Sequence, residues 1–198
     1  MASPHTFTQA ELAHLRRTIE LAAEALEAGD APFGSVLTTG GRGNRGSGTA
    51  EEEEEEEEGE VVVREDRNRI ATTGDATRHP EFELARWAAT NMSPEHRAAA
   101  TVYTSGEHCA MCAAAHAWVG IGRIVYVAGA AQLDGWLEEF RREKAAQGKG
   151  EGEGTGEGRS PVATLAIKTV APSVEVLGPV PELEADIKRL HRRYAGLV

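Results

Sequence analysis

Thr101-Val102-Tyr103-Thr104-Ser105-Gly106-Glu107-His108-Cys109-Ala110-Met111-Cys112 passes from a β-rich run, through a glycine, into a cysteine pair spaced for one helical turn. Residues 101–104 are β-branched or aromatic and of strand length. Residues 109–119 then read as a helix, and residues 123–128 as a further strand. A strand, a helix and a strand in succession form the unit from which layered α/β domains are built.

Working outward, the same alternation continues. Thr8 and Glu11 have capping-box spacing, and Leu12, Leu15, Ile19, Ala22, Ala23 and Leu26 share one helical face. Valine-rich runs at residues 34–38 and 60–64 read as strands joined by a swollen hairpin connection. Pro80 opens a helix expected over residues 80–91, since proline suits the first helical position. Beyond residue 128, the sequence predicts a helix over 133–146, short strands near 165–170 and 174–177, and a last helix over 181–194. The expected fold class is α/β: a three-layer α/β/α domain around a central mixed sheet of about five strands. One domain should span residues 1–198, with low-complexity insertions at about 39–59 and 147–160.

The net charge of −11 is local in origin. Glu51 to Glu58 and Glu60 are nine acidic residues, and discounting them leaves −2. A surface that grips a phosphate backbone needs a basic surplus, so nucleic acid is not an expected partner. Lys188, Arg189, Arg192 and Arg193 cluster near the C-terminus, where they complement a helix dipole. No stretch has a signal-peptide layout or an apolar run of the roughly 20 residues that cross a bilayer, and the expected location is the cytoplasm. Two cysteines three apart do not make a disulfide framework; in a reducing compartment they point to metal or redox chemistry.

His79-Pro80-Glu81 and Cys109-x-x-Cys112 each open a helix after an extended stretch. A helix N-terminus carries partial positive charge and favours thiolate, the form that binds metal. His79, Cys109 and Cys112 make three ligands, whereas zinc prefers four. A structural site closes with a fourth Cys or His; an open one leaves that place for water. Glu81, two residues beyond the histidine, is placed to act on that water as an acid/base without being a ligand. A thiol redox protein would leave His79-Pro80-Glu81 unexplained, and a non-catalytic zinc module would have no use for Glu81. His116 lies four residues after Cys112 and reads as a packed histidine, not a ligand.

Together these motifs resemble the cytidine deaminase-like superfamily, in the branch of guanine deaminases and tRNA adenosine deaminases. Ala31-Pro32-Phe33-Gly34 is similar to its first-strand entry in the guanine deaminase form, and Asn68 stands 11 residues before His79, the spacing of its base-contacting asparagine. Residues 75–81 resemble its D-P-T-A-H-A-E stretch and residues 104–112 its T-x-x-E-P-C-x-M-C. Arg78, Pro80 and His108 depart from that pattern. The resemblance implies one Zn2+, hydrolytic release of ammonia from a small purine-type nucleobase or nucleoside, and a homodimer; the same chemistry on a tRNA adenosine is the alternative. It also implies that Asn68 contacts the base, against a plain turn asparagine. Glu107 is implied as a substrate contact and second proton shuttle, against a helix-entry carboxylate. His108 is expected at the site rim or on substrate, and Trp118 in the pocket wall or the core.

Overall fold

The computed structural model describes residues 5–40, 60–148 and 162–198. Most of both expected insertions, residues 41–59 and 149–161, lies outside the described residues. The chain forms α1 (Gln9–Glu27), β1 (Gly34–Thr39), β2 (Val61–Arg67), α2 (Ile70–Thr73), α3 (Pro80–Asn91), α4 (Pro94–Ala99) and β3 (Thr101–Gly106). There follow α5 (Ala110–Val119), β4 (Arg123–Ala128), α6 (Ala130–Ala146), α7 (Ile167–Val170), β5 (Glu175–Leu177) and α8 (Pro181–Tyr194). The five strands make one mixed sheet in the order β2-β1-β3-β4-β5. β1 is antiparallel to both neighbours, while β3, β4 and β5 run parallel.

Strand alternation sends successive side chains to opposite layers. Val36, Tyr103 and Val125 pack with α1, α6 and α8, while Leu37, Val102 and Ile124 turn toward α3, α5 and α7. The α1 cap forms as expected: Thr8 Oγ1 accepts the Glu11 N–H at 3.2 Å, and Glu11 Oε2 accepts the Thr8 N–H at 2.9 Å. Gly34 is required where β1 meets α1. A Cβ there would fall 2.4 Å from Leu21 Cβ and 2.5 Å from the Thr18 carbonyl oxygen.

Two expectations change. Residues 165–170, expected as a strand, hold the short helix α7, because β5 occupies the edge of β4 that such a strand would need. The sequence predicts neither of the short helices α2 and α4 by apolar periodicity, since neither buries a residue. The S-P-E-H sequence was a usable signal for α4, whose cap is Ser93 Oγ accepting the His96 N–H.

Thr38 faces Thr101 and Ser35 faces Thr104 in the register of β1 and β3. The acidic insertion therefore leaves from the end of the sheet where β3 begins, while Cys109 lies beyond the end where β3 stops. Six residues of strand, roughly 20 Å, separate the two ends. Glu60, where the described chain resumes, is anchored by Tyr103 Oη at 2.5 Å and by Arg123 at 3.2 Å. Arg123 also holds Glu11 at 2.9 Å. Among the described residues no helix is long and apolar enough to cross a membrane.

His191 of α8 is 5% exposed, with its ring 5.1 Å from that of Phe33 and 6.2 Å from that of Trp136. Burial pushes its pKa down to about 4. An unfolded histidine titrates near 6.5. Between those values the unfolded chain binds more protons, so stability is full above about pH 6.5 and falls as the pH drops toward 4, by up to about 3 kcal/mol from this residue. His191→Gln should therefore lose less stability than the parent between pH 7.5 and 4.5 in urea unfolding. An equal loss in both chains would contradict this.

Candidate metal centre

Local sequence delivers each ligand. After Gly74 ends α2 in a left-handed conformation (φ 70°), Asp75 Oδ1 accepts both the Thr77 N–H at 2.9 Å and the Thr77 hydroxyl at 2.7 Å. This turn brings the extended chain to His79, the N-cap of α3, with Pro80 at the first helical position. Cys109 is likewise the N-cap of α5, and Cys112 sits in its first turn. The two helices pack on one face of the sheet, so their N-termini and dipoles converge.

His79, Cys109 and Cys112 present ligand atoms that all lie within 4.8 Å of one another. The two sulfurs are 3.5 Å apart, and Cys109 Sγ is 3.8 Å from His79 Nδ1. Two sulfurs on one tetrahedral zinc, each at about 2.3 Å, stand about 3.8 Å apart, so the three residues fit that ion. Two thiols this close share one negative charge. The contact with Cys112, helped by that with His79, draws the Cys109 pKa down to about 4 against burial. Cys112 is pushed up by its bond to Cys109, by burial and by Glu81. A dication is what allows both to be thiolates at once. His79 is raised, chiefly by its contact with Cys109.

Glu81 is 6% exposed and outside the ligand triangle. Its Oε1 accepts the Thr104 hydroxyl at 2.9 Å, and its Oε2 lies 3.8 Å from Cys112 Sγ. Burial raises its pKa, which moves a carboxylate toward the range useful for proton transfer near neutrality. The Thr104 contact spans 23 residues, and the motifs gave no sign of it.

Asn68, 2% exposed, follows β2 directly. Its N–H donates to the Phe33 carbonyl at 2.9 Å, and its Oδ1 accepts the Ile70 N–H at 3.0 Å. Its side-chain nitrogen has no hydrogen-bond partner among the described residues. The neighbouring Arg69 N–H donates to the Arg78 carbonyl at 3.1 Å, which ties this segment to the His79 turn. The Phe33 ring in turn lies against Gly106, where a Cβ would stand 3.0 Å from Cε1.

Glu107 is spent on backbone groups: its carboxylate accepts the Ala130 N–H at 2.9 Å and the Ile167 N–H at 3.2 Å. His108 stands neither at a rim nor in the open. It is 1% exposed, with its ring 5.6 Å from that of His116 in an edge-to-face contact. Burial pushes both imidazoles down, His116 to about 4. Trp118 is 90% exposed and belongs neither to the core nor to an enclosed pocket wall. It projects from the far end of α5, where nothing described covers it. Arg78 pairs with Glu83 at 3.0 Å.

Residues 8–128 match the family described as the cytidine and deoxycytidylate deaminase zinc-binding region. A probable cytosine deaminase of Schizosaccharomyces pombe is 28% identical over 60% of this chain and 60% of its own length. A guanine deaminase of Bacillus subtilis is 28% identical over 58% of this chain and 62% of its own. A tRNA-specific adenosine deaminase of Agrobacterium fabrum is 32% identical over 53% and 57%. The chain thus spans about three fifths of the length of these relatives. The solved structure of a guanine deaminase from Nitrosomonas europaea, 18% identical, shares the fold with a TM-score of 0.57 over 98% of this chain and 88% of that one.

Proposed function

Because the chain belongs to the cytidine and deoxycytidylate deaminase zinc-binding family, we propose that it is a zinc-dependent hydrolytic deaminase of a small nucleobase or nucleoside, of the purine, guanine-like type. The observation that carries this reading is Glu81: a buried carboxylate beside three metal ligands and outside their triangle. A site built only to hold the fold together has no use for it.

Zinc held by His79, Cys109 and Cys112 supplies a Lewis acid that makes water acidic enough to ionise near neutral pH. Glu81 takes the proton that water gives up, with Thr104 holding Oε1 so that Oε2 faces the metal side. The oxygen adds to the amino-bearing ring carbon. Glu81 passes its proton to the adjacent ring nitrogen, and the second water proton leaves on ammonia as the carbon–nitrogen bond breaks. Asn68 donates from its free side-chain nitrogen to the base, held in place by the Phe33 carbonyl and the Ile70 N–H. The Pro32-Phe33-Gly34 form and the Bacillus subtilis relative support a guanine-like base.

The Agrobacterium relative supports the alternative, a tRNA adenosine. Charge weighs against it. Arg67, Arg69 and Arg78, the cations flanking Asn68 and His79, are neutralised by Asp30, Asp66 and Glu83 at 3.0, 3.1 and 3.0 Å. Ammonia release from guanine, cytosine, adenosine and an anticodon stem-loop tests the assignment. We expect turnover of guanine; turnover of the stem-loop alone would overturn the substrate class.

The chain also acts as a homodimer in this reading. Trp118 stands 90% exposed on α5, on the same helical face as the partly exposed Met111, Ala114 and Ala115. Light scattering should give twice the 21.1 kDa chain mass, and a monomer at micromolar concentration would remove the dimer.

A further inference from the structure

Glu107 lies between Gly106, which ends β3, and Cys109, which caps α5. Its backbone N–H donates to the Ala128 carbonyl at 2.8 Å and extends the β3–β4 pairing by one step. That bond fixes the direction of its side chain. The carboxylate then meets the Ala130 N–H with Oε2 and the Ile167 N–H with Oε1. Ala130 is the first residue of α6 and Ile167 the first of α7. The first N–H groups of a helix have no partner within it, and a carboxylate is the acceptor that suits them best.

Both partners lie outside residues 8–128, the part of the chain that matches the family. Ile167, 1% exposed, packs with Ala113 of α5 and Ile124 of β4 in one apolar cluster. The joint therefore has a polar half at Glu107 and an apolar half at Ile167. Together they dock the C-terminal segment on the helix that carries Cys112. We propose that Glu107 is a positioning residue that fastens the segment leading into α7 onto the Cys109 turn, and through the placement of that turn sets how tightly substrate binds. This rests on the deaminase reading only for its kinetic consequence. A proton shuttle at this position would have to release two backbone N–H groups in every cycle.

The test uses the zinc-loaded full chain and two variants, Glu107→Ala and Glu107→Gln. Hydrogen exchange of the amides over residues 163–170 reads the fastening directly and needs no substrate. Glu107→Ala should speed that exchange about tenfold or more while keeping about one zinc per chain; Glu107→Gln, which retains one carbonyl acceptor, should fall between it and the parent. With guanine, Glu107→Ala should raise KM about tenfold, with kcat within about threefold and the pH profile unmoved. Unchanged exchange in both variants would overturn the proposal whether or not guanine is turned over. A fall in kcat with a displaced pH profile and an unchanged KM would also overturn it, and would make Glu107 a shuttle.

Discussion

Glu81→Gln should leave the chain folded and zinc-loaded but lower kcat for ammonia release by about 10²- to 10⁴-fold, the range over which positioned acid–base groups act. The substitution keeps the shape of the side chain and the acceptor that Thr104 needs at Oε1. It removes the capacity to take and return a proton at Oε2. Glu81 is 6% exposed, so no bulk buffer reaches that position to replace it. Since Glu81 lies outside the ligand triangle, its replacement should not change metal content. An unchanged rate would refute the proton-transfer role. Loss of zinc from the variant would make Glu81 a ligand, and the open coordination position would disappear with it.

Removing the metal has the second large effect. A tight chelator, or Cys112→Ala, should take ammonia release to background and lower the melting temperature by roughly 5–10 °C, because the folded chain alone offers the assembled ligands. Cys112 is 1% exposed and in the first turn of α5, so its loss disturbs the helix that also carries Cys109. Re-adding zinc should restore the chelated parent but leave Cys112→Ala inactive. A chelated chain that melts and works like the parent would contradict the metal centre.

Local signals carried the parts of this protein that are legible in its sequence. The Thr8–Glu11 cap, Pro80 at a helix start and the valine-rich strands each depend on neighbours within a few residues, and their structure matches. The candidate metal ligands were legible because His79-Pro80-Glu81 and Cys109-x-x-Cys112 each announce a helix N-terminus. Long-range partnerships were not. The Thr104 hydroxyl on Glu81 depends on sheet register, and the Ala130 and Ile167 amides on Glu107 depend on how the C-terminal segment docks. Trp118 misled for a related reason. Its residue type argues for burial, whereas its place at the outer end of α5 decides its exposure. Residues 165–170 misled because strand propensity says nothing about whether a sheet edge is free.

X-ray absorption at the zinc edge of the purified chain tests the central claim most directly. A metal held by Cys109, Cys112 and His79, with its fourth place open to water, predicts two sulfurs at about 2.3 Å and two nitrogen or oxygen neighbours at about 2.0–2.1 Å. A zinc with no sulfur neighbours, or a folded chain that takes up no zinc, would contradict it.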